Sequence, residues 1–126
     1  MTTTASLIST LESYLKLATT REETISSNMA NVDTPGFHTK DINFEGELNK
    51  AMSGGLDSSA SELQGAHFSP VVRNVQGLME RPDGNNVSLD REGLLMSETQ
   101  LQYQIGIQLV KHQFHQLFSA ISGGSE

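Results

Sequence analysis

His112 and His115, three residues apart in "KHQFHQ", come nearer than any other pair in the chain to the spacing of a chemical site. On a helix that spacing sets two imidazoles on one face, where zinc could take both. Zinc needs further ligands, however, and His38 and His67 stand in unrelated, loop-like stretches with no carboxylate at matching spacing. The pattern predicts no metal site. No serine sits in a G-x-S-x-G nucleophile turn, and no base is placed to activate one. Acidic residues occur singly on polar faces, and Gly54-Gly55 and Gly123-Gly124 are too isolated to cradle a phosphate. The chain has no cysteine, so thiol nucleophiles, thiolate metal sites and disulfides are ruled out. These residues predict no enzyme, no cofactor and no small-molecule substrate.

Composition narrows the partners. The 126 residues suit one domain, and a net charge of −7 argues against nucleic acid or an anionic membrane as the main ligand. Lysine and arginine are scattered and form no patch. Hydrophobic residues are 36 % with no tryptophan, which predicts a thin core that gains stability from partners. "MTTTASLISTLESYL" lacks the basic start and continuous apolar run of a cleavable signal peptide, and no stretch reaches transmembrane length. The expectation is a cytoplasmic protein, or one exported without a cleaved signal.

Two long helices must carry most of the chain. Ile8, Leu11, Leu15, Ala18, Ile25, Met29 and Val32 recur in steps of three and four, missing only at Glu22. That heptad spacing keeps one apolar seam against a partner helix. At ~1.5 Å per residue, residues 5–32 would span roughly 42 Å. In the second half, Tyr103, Ile107, Val110, Phe114, Leu117 and Ile121 form a seam of the same kind. Leu94, Leu101, Ile105, Leu109 and Phe118 make a second stripe beside it. "DGNNVSLDRE" offers caps in Asp83, Asn85, Asn86 and Ser88, with Asp90 and Glu92 where a helix start favours negative charge. "GGSE" should end this helix. A two-helix hairpin can cover only one of the two C-terminal stripes, so the other is expected to be a protein–protein surface. Gln100, Gln102, Gln104, Gln108, Gln113 and Gln116 replace the charges usual on a polar face, which would spare a polymer the repulsion of repeated like charges. Gly106, mid-helix, costs about 1 kcal/mol relative to alanine and fits the close approach of another helix.

Between the helices lies a middle segment with a short strand about Ile42 and Phe44, a short helix over Phe44–Met52, and another strand around Pro70–Asn74. "SGGLDSSASELQG" between them reads as flexible linker. The expected division is an N-terminal helix and turn (1–35), an irregular middle (36–86) and a C-terminal helix (87–126) in one mainly α structure. The first helix stops at "NMANVDTPGF". Asn31 is expected to end it in a left-handed conformation, and Pro35-Gly36 fits the centre of a type II turn. The turn would fix the angle at which the chain departs and let Phe37 dock on a neighbour; in an isolated, loosely ordered subunit it would matter little.

"SSNMANVDTPGF" resembles the signature of bacterial flagellar rod and hook axial proteins, with Asn28, Ala30, Asn31, Thr34, Gly36 and Phe37 in the places it requires. "PDGNNVSLDRE", followed by a terminal helix in a short chain, is similar to the proximal rod subunits of that family. The resemblance implies a structural subunit of the flagellar basal body, located in the rod within the periplasmic space. Its terminal helices would pair as a coiled coil, polymerise with copies of itself and help carry motor torque. It also implies export by the flagellar type III apparatus and contacts with other rod proteins, the adaptor FliE, and the export gate or MS ring. Within "FEGEL", Phe44 and Leu48 resemble the element such subunits present to the export gate. Two other readings stay open: another short rod protein of the same family, or a soluble helical adaptor or chaperone.

Overall fold

The computed structural model describes residues 2–54 and 68–123. Two long helices, α1 (Thr2–Ala30) and α3 (Leu89–Ser122), enclose β1 (Lys40–Ile42), α2 (Phe44–Gly54) and β2 (Val72–Asn74). The end of α1 meets the start of α3 through Asn28 and Glu92, and mid-α1 meets Gly106 through Tyr14 and Leu15. The two terminal helices are therefore antiparallel, the arms of a hairpin.

Helix α1 is covered on two sides. Against α3 it sets Leu11, Ala18 and Ile25, all buried, with Ile8, Leu15 and Met29 half-buried. The middle segment takes the other side. Tyr14 meets the Phe44 ring edge-on, with centroids 5.4 Å apart, and burial pushes its phenol pKa up. Arg21 grips Asp41 with two hydrogen bonds of 3.0 and 3.1 Å. Leu17, fully buried, lies between those two anchors along the helix. Sequence periodicity alone misses Leu17, because it sits off the heptad that faces α3.

The short strands pair antiparallel, Lys40 opposite Asn74 and Ile42 opposite Val72. Ile42 is buried, while β2 is exposed throughout. The middle is thus more ordered than its composition suggests on either side of the Gly/Ser-rich stretch (53–65), all but the first two residues of which lie outside the described residues.

Along α3 the buried residues are Glu92, Thr99 and Gly106, seven apart. The packed face is centred on them, and the expected seam runs along its flank. Ile107 and Val110 are half-buried, whereas Tyr103, Phe114, Leu117 and Ile121 are exposed, Ile121 by 73 %. The cause is steric: the small face at Gly106 lets the backbones approach closely, and larger side chains are displaced to the sides. The second stripe is also uncovered, with Leu94 71 % and Leu101 57 % exposed.

Candidate functional site

The stop of α1 is built from its own side chains. No non-glycine among the described residues has positive φ, so Asn31 does not take the left-handed cap expected of it. Instead its Nδ2 donates to Ser27 O at 2.8 Å, the same carbonyl that accepts its backbone N–H at 3.1 Å, so Asn31 grips the last turn of the helix twice. Its Oδ1 accepts from Thr34 Oγ1 at 3.0 Å, and its carbonyl accepts Thr34 N–H at 3.0 Å. Helix α1 closes at Ala30, so Val32, counted in the seam, falls in the following turn. Phe37 N–H reaches Thr34 O at 3.2 Å, with Pro35 and Gly36 as the central pair and φ of Gly36 at +75°. That is the hydrogen bond and the glycine conformation of a type II turn.

The turn is clasped by the loop before α3. Asn85, fully buried, donates through Nδ2 to Asn31 O and Thr34 O, both at 2.9 Å. Its own Oδ1 accepts Val87 N–H at 2.8 Å. Asn86 Oδ1 takes Thr39 N–H at 2.6 Å, and Asn86 N–H reaches Phe37 O at 3.3 Å. Gly36 N–H donates to Asp83 O at 2.9 Å, and Arg81 Nη2 donates to Val32 O. A Cβ on Gly84 would stand 3.3 Å from Gly36 Cα, so the two glycine turns pack backbone to backbone. Asn85 and Asn86, read from sequence as helix caps, are the jaws of this clasp. Ser88 alone caps α3, its Oγ accepting Arg91 N–H at 3.3 Å.

Beneath the clasp, Asn28 acts as a strand. Its Oδ1 accepts Lys40 N–H at 3.1 Å and its Nδ2 donates to Lys40 O at 2.7 Å, closing the free edge of β1. The same Nδ2 reaches Glu92 Oε2 at 3.0 Å. Glu92, fully buried, also receives Arg91 Nη1 at 2.7 Å, and Arg91 lies 3.5 Å from Asp41. A continuous polar network thus joins α1, β1 and α3. Phe37 is half-buried within the subunit, and Ala30 is exposed at the helix end.

The remaining candidates lie apart. Phe44 and the half-buried Leu48 are folded against the hairpin in α2. His112 and His115 are exposed near the far end of α3, His112 Nε2 being 3.1 Å from Gln116 Nε2. His38 approaches Asn86 at 3.5 Å, and His67 lies outside the described residues. No described helix is long and apolar enough to cross a membrane. On the outer side of α3, Leu101, Gln104, Ile105, Gln108 and Leu109 line a shallow apolar groove.

A helical hairpin with a clasped turn and an uncovered apolar face is the architecture of a subunit made to pack with others. The family described as "Flagella basal body rod protein" matches residues 8–38, the stretch that holds most of α1 and the turn. Flagellar basal body rod protein FlgB of Salmonella typhimurium is 32 % identical over 123 residues, covering 88 % of this chain and 89 % of its own. FlgB of Escherichia coli is 30 % identical with the same coverage, and FlgB of Bacillus subtilis is 27 % identical over 93 % of this chain and 94 % of its own. The chain belongs to the FlgB family of flagellar basal body rod proteins. It is a structural component of the rod.

Proposed function

We propose that this chain builds the proximal rod by polymerising through its terminal helices, and that it is a non-catalytic part of the path that transmits motor torque. The observation that carries this reading is the distribution of charge and apolar surface along the hairpin. Residues 6–11 of α1 and 99–122 of α3 contain one lysine, Lys111, and no acidic residue. Both apolar stripes of α3 run through that same stretch, with Ile105 48 % and Leu109 46 % exposed. A surface with a single fixed charge in each copy can meet copies of itself with little repulsion, and its exposed apolar side chains gain by burial.

The three-part division follows: 1–35 and 87–126 supply the packing helices, and 36–86 braces α1 from the other side. Neighbours of this family type, including other rod proteins, FliE and the export gate or MS ring, would contact the ends of the polymer. Export would proceed by the flagellar type III route. Phe44 and Leu48 are packed in the folded subunit, so a gate could read them only before the chain folds.

The test is association in solution. Sedimentation of the purified chain over a concentration series is expected to show reversible self-association. Ile105→Asp with Leu109→Asp should remove it while leaving the circular dichroism spectrum intact. Equal association by the double variant would sink the assignment of this face.

A further inference from the structure

We propose that Glu92 and Gly106 together set the register of the hairpin, as a two-point key that admits one alignment of α3 on α1. The face of α3 toward α1 repeats every seven residues (Glu92, Thr99, Gly106), and larger apolar residues flank it. Such a face is nearly degenerate under a slide of one heptad, which moves a helix by about 10 Å and keeps its seam in place. Thr99 adds no information, because its buried hydroxyl has no hydrogen-bond partner among the described residues.

The two ends of the repeat do discriminate. At one end, Asn28 Nδ2 meets the Glu92 carboxylate at 3.0 Å, and both residues are almost wholly buried. Slid by a heptad, Asn28 would face Thr99 or the non-helical loop and lose the Glu92 carboxylate, which would stand opposite Arg21 or beyond the end of α1. At the other end the space is tight, so that any side chain must displace its neighbours. A Cβ at Gly106 would stand 2.7 Å from Leu15 Cδ2 and 3.0 Å from Tyr14 Cδ1. A slide in either direction would drive Thr99 or Gln113 into that space. One point is polar and the other steric, so no single slid register satisfies both. The hydrogen bonds of Asn85 and Asn86 end at Val87 and hold loop to turn, while Arg91, 3.5 Å from the Asp41 that Arg21 grips, acts beside Glu92 as part of the polar point of the key.

Register matters for assembly because it fixes the height of the clasped turn relative to the exposed stripe of α3. This consequence rests on the polymerisation reading; the register itself does not. The natural chain has no cysteine, so spin labels can be placed at will. Glu12→Cys and Glu98→Cys put labels on exposed sites offset along the hairpin, and double electron–electron resonance on the full-length purified chain reads their separation. The wild-type background and Glu92→Gln, which keeps an oxygen for Asn28, are expected to give one narrow distance. Glu92→Thr with Gly106→Thr makes the three positions identical, and should add populations displaced by up to about 10 Å. If that variant stays helical and keeps the single wild-type distance, the key is refuted. Should it fail to fold, Gly106→Ala is expected to broaden the distribution and Leu15→Ala to restore it in the double variant; a Gly106→Ala chain with an unchanged sharp distance refutes the key as well. Motility is scored separately, so a failed assembly reading leaves the register result standing.

Discussion

Gly36 holds φ at +75° with no neighbour within 4 Å of where a Cβ would point, so its requirement is conformational and not spatial. Gly36→Val should cost on the order of 1–3 kcal/mol. Because the turn is bonded inside the subunit, that loss should appear in thermal denaturation of the isolated chain as well as in assembly. Gly36→Asn should recover part of it, since asparagine tolerates positive φ. Asn85 is the second sensitive residue. Asn85→Ala strands the buried Val87 N–H and takes the second hydrogen bond from the Asn31 and Thr34 carbonyls, and should cost roughly 1–3 kcal/mol, and Asn85→Asp should be worse because it turns a carboxylate toward those two carbonyls. Comparing the two melting temperatures checks the order. Pro35-Gly36 was legible in sequence because turn chemistry is local. Asn85 was not, since its acceptors lie 54 and 51 residues away and a buried asparagine reads like any cap.

The two helices show the same division between local and distant causes. Periodicity found Leu11, Ala18 and Ile25, which are buried, because one face of α1 repeats with the heptad. It placed the C-terminal seam off the packed face, because counting apolar residues gives no weight to a glycine that admits a neighbouring backbone. Glu92 looked like a charge suited to a helix start, and its burial became visible only with Asn28 across from it. For α3 itself, Ser88→Ala should cost about 1 kcal/mol through loss of the N-cap, read by denaturant unfolding. Gly106→Ala sets two effects against each other. Alanine gains about 1 kcal/mol in helix propensity, and overpacking costs typically ~1–3 kcal/mol. Leu15 Cδ2, 2.7 Å from the added carbon, can swing aside, but the Tyr14 ring at 3.0 Å is held edge-on by Phe44, so the clash should win and the variant should be less stable.

The whole molecule is graded from end to end. The clasp end holds the polar network and the sheet, and α2 starts against Tyr14 midway along α1; the far end, from Thr99 onward and before Glu12, has one lysine and mostly exposed apolar side chains. Amide hydrogen exchange of the dilute chain should therefore show protection in Tyr14–Ala30 and Leu89–Gly106, with rapid exchange before Leu11 and after Val110. Uniform protection along both helices would mean that the far end is stable without neighbours. The central claim is that this far end becomes ordered and buried in the rod. Its most direct test is to isolate basal bodies from cells expressing, as sole copy, either the natural chain or the Ile105→Asp, Leu109→Asp variant. The natural chain should be recovered in the basal body and its cells should swim, whereas the variant should be made, be absent from the basal body and leave cells non-motile. Recovery of the variant in basal bodies at the natural level, with normal swimming, would contradict the account.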